Sequence, residues 1–422
     1  TFSSFNKALI FALAIMLFQS CEEGDLPNPD NTQIERLKWS YDFDDVMAFS
    51  LLNNVPAIDE EGNIYFAANV QNGGQIAKLS ADGDEIWEFS GVNSPLSQVI
   101  YFNEKLFYQD DNKLVCRSAI DGSEVWSTEV VLGYQTFALT SEKIYTSNYV
   151  DGGIFGCNNS LVAFDHSGNK VWETKIKYSP NDTITYPNAI SVVGNNIYLG
   201  VFVEVDNSEF AIINYVDEGN NVSKNWTWLA PEDYSVGGGS PWIKDFAIDE
   251  NNNIIFGMEN SGAQNIFSIN SSSGTENWRT SSLAPKIISS VSVDANGNCY
   301  SAYINIEKLN EGGIVWESEY KDDWEYDGLV SKSPVISMNG NLTYENMSLI
   351  TTSISPNGAS LWEQYYGCNL CNDEFHNITI NRNGDIIIIG KGNIYCFEGN
   401  GTGLSDKGWP KKYGNYGNTS SK

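Results

Sequence analysis

A nucleophilic catalyst of the Ser-His-Asp or Cys-His kind needs a histidine to take the proton, and this 422-residue chain has two. His166 stands in the turn "FDHSGNK", where it is expected to be solvated, and His376 stands at the start of a strand, where a structural role is expected. Cys368 and Cys371 form a C-x-x-C pair in "YYGCNLCNDEFH". Haem attachment requires a histidine directly after the second cysteine, and Asn372 is there instead. Zinc needs four ligands, of which only His376 is near, and a thioredoxin-type pair needs a strand leading into a helix, which the surroundings lack. In an exported chain the pair is expected to close a local loop disulfide or to bond to Cys157. Cys116, Cys299 and Cys396 lie in apolar strand patterns and read as buried thiols. Carboxylates are abundant, but the recurring "D-x-x-G-N" elements are turns without the dense Asp spacing of a calcium loop. No catalytic residue, metal or cofactor is therefore expected. With 54 acidic against 24 basic residues the formal charge is −30. Such a chain repels phosphate backbones and anionic lipid, which excludes nucleic acid as a partner.

The elements that would position any functional side chain follow one repeat. A glycine lies four residues before a tryptophan at Gly83/Trp87, Gly122/Trp126, Gly168/Trp172, Gly274/Trp278, Gly312/Trp316 and Gly358/Trp362. Upstream of each lie a short apolar strand and then a polar turn followed by an apolar pair, as in "DEEGNIYF" and "VGNNIYLG". From Trp87 to Trp409 the successive spacings are 39, 46, 54, 52, 38, 46 and 47 residues. Eight such units of short strands predict an all-β chain: an eight-bladed β-propeller of four-stranded antiparallel blades, with seven blades as the alternative. "LKWSYDF" (37–43) reads as an outer Trp strand whose first three strands are missing, while Trp409 is followed by Pro410, a poor continuation for a central strand. Nine Trp markers for eight units predict that the N-terminal strand closes the last blade, pairing near 391–397. The propeller is expected over 37–413, with a C-terminal tail at 414–422. Unit four departs from the pattern, because Gly219 lies seven residues before Trp226.

The G-x-x-x-W pattern after an apolar strand, with the terminal "GWPKKYGNYGNT", resembles the quinoprotein-type (PQQ-like) propeller class. Within that class the nearest in size are the eight-bladed outer-membrane assembly lipoproteins. This resemblance implies a protein-binding scaffold within an envelope complex. The class also holds quinone-dependent dehydrogenases, which stack their cofactor against a disulfide of adjacent cysteines over a calcium ion. No two cysteines are adjacent in this chain and no calcium set carries over, so a non-enzyme without cofactor is expected.

The N-terminal segment fits that setting. Lys7 followed by "ALIFALAIMLF" reads as a secretory signal over residues 1–20, too short to span a bilayer. It ends at "QSC", which resembles the lipoprotein box with Cys21 as the lipidated residue. Residues 21–36 read as a disordered acidic tether. Acidic residues directly after the cysteine resemble the surface-export signal of Bacteroidota lipoproteins, implying a lipid-anchored outer-membrane protein at the cell surface, with the periplasmic face as the alternative. "NDTI" resembles the O-glycosylation acceptor of the same group, at Thr183. The long, varied connections fall after the Trp strands and in mid-blade, two classes that leave a propeller on one face. That face is the expected binding face, with Trp228, Tyr234, Trp242, Trp324, Tyr326, Tyr365 and Tyr366 as its aromatic residues. Either an outer-membrane protein complex or a glycan is the expected partner.

Overall fold

The computed structural model describes residues 36–43 and 55–422, apart from 71–72, 93–97, 111, 131–136, 149–158, 178–184, 204–208, 232–244, 261–262, 283–290, 303–305, 318–332, 346–349, 366–376 and 391–392. All its described regular structure is strand, arranged as eight four-stranded antiparallel sheets. In chain order, blades one to seven span 57–92, 100–129, 137–175, 185–229, 247–282, 292–317 and 335–365. Blade eight takes three strands from 377–397 and its outermost strand from Leu37–Asp42. That strand runs antiparallel to Asn393–Phe397, with Leu37 opposite Phe397 and Tyr41 opposite Ile394. The eight-bladed ring and its closure by the N-terminal strand are thus as the repeat predicts.

Tight turns at Asp59–Asn63, Asp249–Asn253 and Asp294–Asn298 join the inner strand to the second, and their aspartates explain why. In the first, Asp59 Oδ1 accepts from the Glu61 and Asn63 amides at 3.1 and 2.8 Å, and Oδ2 accepts from Asn63 Nδ2 and the Tyr65 hydroxyl at 2.7 and 2.8 Å. Asp294 repeats the arrangement with Asn296, Asn298 and Tyr300. The carboxylate replaces the backbone acceptors that so tight a turn cannot supply.

The core lies between the blades. Ile64, Phe66, Ala77 and Leu79 of blade one pack on Ile387, Ile389, Ile394 and Cys396 of blade eight, and comparable clusters fill the following seams. The Gly-Trp repeat is the seam fastener, and it acts between blades rather than within one. Trp39 Nε1 donates to the Ala81 carbonyl at 3.1 Å, Trp126 to His166 at 3.0 Å and Trp226 to Ser271 at 2.9 Å, each in the third turn of the next blade. The glycine of that turn lies against the same ring. A Cβ on Gly83 would sit 2.5 Å from Trp39, and one on Gly274 2.5 Å from Trp226. Trp39, Trp87, Trp126, Trp226 and Trp316 are each matched in this way to the glycine one unit downstream.

Blade four, the unit with the longer hairpin, solves the seam differently. Gly219 has no atom within 4 Å of its would-be Cβ. Asp217 takes over: its carboxylate accepts from Lys143 Nζ at 2.8 and 2.7 Å, Tyr145 Oη at 2.7 Å, Trp172 Nε1 at 3.3 Å and the Gly219 amide at 2.8 Å. Burial works against its ionisation, but these donors outweigh it and hold the carboxyl below the usual range.

Candidate binding faces and the sealed centre of the ring

Successive strands run in opposite directions, so the ring has two faces. One carries the tight turns. The other receives every connection from an outer strand to the next inner strand and from a second strand to a third. The internal residues outside the described set fall, in sequence, between strands of these two kinds. The expected sites Cys21, Thr183, Tyr234, Trp242, Trp324, Tyr326, Tyr366, Cys368 and Cys371, with Cys157 and His376, lie outside the described residues.

Two expected positions fall within them. Tyr365 ends the outer strand of blade seven, opposite Ile350. Trp228 is not an exposed anchor: it is 7% exposed and meets Phe256 and Phe267 edge-on at ring separations of 5.4 and 5.6 Å. It follows Trp226 by two residues, so strand alternation turns both rings into the seam with blade five.

His166 corrects a second expectation, for it is a half-buried packing residue rather than a solvated one. Its ring stacks on Phe102 at 5.4 Å and meets Phe107 at 5.8 Å, with Nε2 3.0 Å from the Thr140 carbonyl. Burial lowers its pKa and favours the neutral imidazole. Cys116, Cys299 and Cys396 are buried free thiols, as expected. Burial pushes Cys116 and Cys396 up to about 12 and Cys299 well up, so none is a nucleophile near neutral pH. Among the described residues no cluster of three or more metal-ligating side chains occurs.

The largest departure from expectation is the C-terminal segment. Residues 414–422 do not form a tail; with 403–413 they are laced across the centre of the ring. The Trp409 amide and carbonyl exchange bonds with Val293 of blade six at 2.8 and 2.9 Å, and the Pro410 carbonyl accepts from Ile336 of blade seven at 2.8 Å. The carbonyls of Tyr416, Gly417, Thr419 and Ser420 then accept from Ile58, Tyr101, Leu139 and Val192, on the inner strands of blades one to four, at 2.9–3.0 Å. Lys422 Nζ reaches the Asp249 carbonyl of blade five at 2.8 Å, and Arg382 of blade eight lies over the Tyr416 ring at 4.5 Å. Every blade is touched. Each contacted inner-strand residue stands at or next to the end that enters a tight turn, so this segment seals the plain-face end of the centre. Inner strands would otherwise present unpaired edges there, and the segment satisfies them.

Two buried ionisable groups that sequence reasoning missed lie in or against the seal. Lys411 Nζ donates to the Pro56 carbonyl at 3.3 Å and to Thr379 Oγ1 at 3.2 Å, and burial lowers its pKa to about 7. Asp245 accepts from the Phe246 amide at 2.9 Å and the Tyr413 amide at 3.4 Å; burial raises its pKa to about 6, against the pull of Lys412. The adjacent lysines after Trp-Pro were the available signal, since a pair that close to a strand marker is oddly placed for a free tail.

A family model described as outer membrane protein assembly factor BamB matches residues 36–280. No curated protein matches the chain. Among solved structures, BamB from Moraxella catarrhalis is 13% identical, with 86% of this chain and 99% of that one covered and a TM-score of 0.57. Sqt1 from Saccharomyces cerevisiae is 9% identical over 86% of this chain and 100% of that one, TM-score 0.58. The quinohemoprotein alcohol dehydrogenase ADHIIG from Pseudomonas putida HK5 is 12% identical over 89% and 78%, TM-score 0.53. At these identities the likeness is one of fold.

Proposed function

This chain belongs to the family of the outer membrane protein assembly factor BamB, and from that premise we propose that it is a non-enzymatic scaffold in an outer-membrane protein complex. The family match is the observation that carries the reading. The ring supports it physically: eight sheets, the last closed by the Leu37–Asp42 strand, are joined by connections whose lengths and composition differ widely in the sequence. Among the described residues Asp59 is bound into its turn, His166 is packed against Phe102 and Phe107, and Cys116, Cys299 and Cys396 are held protonated by burial. The partner is a protein of the outer membrane, bound through the variable connections. Lipid on Cys21 holds the scaffold to that membrane, at the cell surface.

The test is capture from solubilised outer membrane by the intact protein and by single alanine variants at Trp324, Tyr326 and Tyr366, each with its melting temperature measured. An anchor should lose about 2 kcal/mol or more of binding, seen as lost recovery at unchanged melting. Lower melting with unchanged recovery would make these residues loop packing. Binding to a glycan array with no protein recovered would replace the scaffold reading with a glycan-binding one. Cys21→Ala should abolish acyl labelling and membrane sedimentation together.

A further inference from the structure

The centre of the ring is closed by two stretches with different hold. Residues 404–413 include Leu404, Trp409 and Tyr413, all buried, so that stretch is anchored by apolar contact. Residues 414–422 read Gly-Asn-Tyr-Gly-Asn-Thr-Ser-Ser-Lys, with Tyr416 the one large ring. Their hold on blades one to four is made mainly by main-chain carbonyls, one to the inner strand of each blade.

This second stretch also departs from strand conformation. Asn418 and Ser420 adopt φ of 60° and 51°, in the left-handed region that residues with a Cβ seldom enter. Asn418 Nδ2 donates to the carbonyls of Val55 at 2.7 Å and Val99 at 3.1 Å, but its Oδ1 is buried with no hydrogen-bond partner. Segments with little apolar burial, held mostly by backbone bonds, are the ones that open without the rest of the fold.

We propose that the inner edges of blades one to four form a peptide-binding track, filled in cis by residues 414–422, and that a turned, small-residue polar segment of a partner protein takes their place when they swing out. The edge amides of Ile58, Tyr101, Leu139 and Val192 would read the ligand's backbone. A basic residue at the ligand's end would meet Asp249 and Glu250, as Lys422 does with its Nζ 3.3 Å from Glu250. Room beside Tyr101 admits only glycine at the second contact, because a Cβ on Gly417 would collide with the Tyr101 carbonyl oxygen. This track is on the plain face and does not depend on the outer-membrane reading.

That collision supplies the test. In the full-length Gly417→Ala protein the cis segment is weakened while the track is intact, so a labelled synthetic peptide of residues 414–422 should bind and raise fluorescence anisotropy. The wild-type protein, whose own segment is present at an effective concentration on the order of millimolar, should take up far less. A peptide carrying Ser420→Pro should not bind, since proline cannot adopt a positive φ. A folded Gly417→Ala protein that binds no peptide would overturn the proposal. Hydrogen exchange on the wild type decides the matter if that variant fails to fold. The four edge amides should exchange about 100-fold or more faster than second-strand amides such as those of Phe66 and Phe107, by local opening. Exchange of all of them only through global unfolding would equally sink it.

Discussion

An alanine at Gly83 would place its methyl carbon 2.5 Å from the Trp39 ring at a φ of 89°. Both penalties apply together: a backbone that L-residues avoid and an overpacked seam, so Gly83→Ala is expected to lose about 2–4 kcal/mol in urea unfolding. Gly219→Ala shares the positive φ but meets nothing within 4 Å, and should lose only about 1 kcal/mol. Equal losses at the two sites would show that the ring contact is not what the glycine serves. Lys411 gives a pH-dependent case. Its folded pKa is lowered, so the charged form is penalised in the fold; the penalty is complete below about 7 and disappears as pH rises toward the ordinary lysine value. Replacing it with an apolar residue of similar size removes the cost of burying that charge. Lys411→Met should therefore raise the melting temperature at pH 6, with the gain shrinking by pH 10; a constant gain would point to packing alone.

At the scale of the element, five seams pair a tryptophan plug with a glycine socket on the next blade, and blade four shows that the socket can be rebuilt from charge. Asp217 has a lowered pKa, so its contribution is present above the unfolded aspartate value of about 3.9 and is lost as pH falls through the folded value. Asp217→Asn should cost about 3–5 kcal/mol at neutral pH by leaving Lys143 buried without its counter-charge. Against wild type, the deficit in denaturation midpoint should narrow below pH 4. The same comparison explains what could be read from the chain. The Gly-Trp spacing is local and period two fixes which side each ring takes, so the blades, their number and the closing strand were legible. Which tryptophan meets which glycine was not, because the pairing runs one unit downstream. Trp228 looked like an exposed anchor because it borders a long connection, yet alternation with Trp226 already aimed it inward. The seal was illegible for a different reason. Its partners are strand edges, whose backbone groups leave no mark on side-chain pattern, and Gly-Asn-Ser composition has the look of a tail.

For the whole molecule, ring closure rests on a strand far away in sequence. Arg36, at the head of that strand, donates to the Glu398 carbonyl across 362 residues. Removing residues 37–42 would strip Trp39 and Tyr41 from the seam with blade one and leave the Asn393–Phe397 edge unpaired. The shortened protein should be larger than wild type by light scattering and should return to the wild-type size when a peptide of residues 36–43 is supplied. A shortened protein that keeps the wild-type size and melts as sharply would deny the strand that role. The same long-range pairing means that the ring cannot be completed from one end alone. Until Asn393–Phe397 is in place the closing strand has no partner, so the last blade forms only when segments from both ends of the described ring are present together.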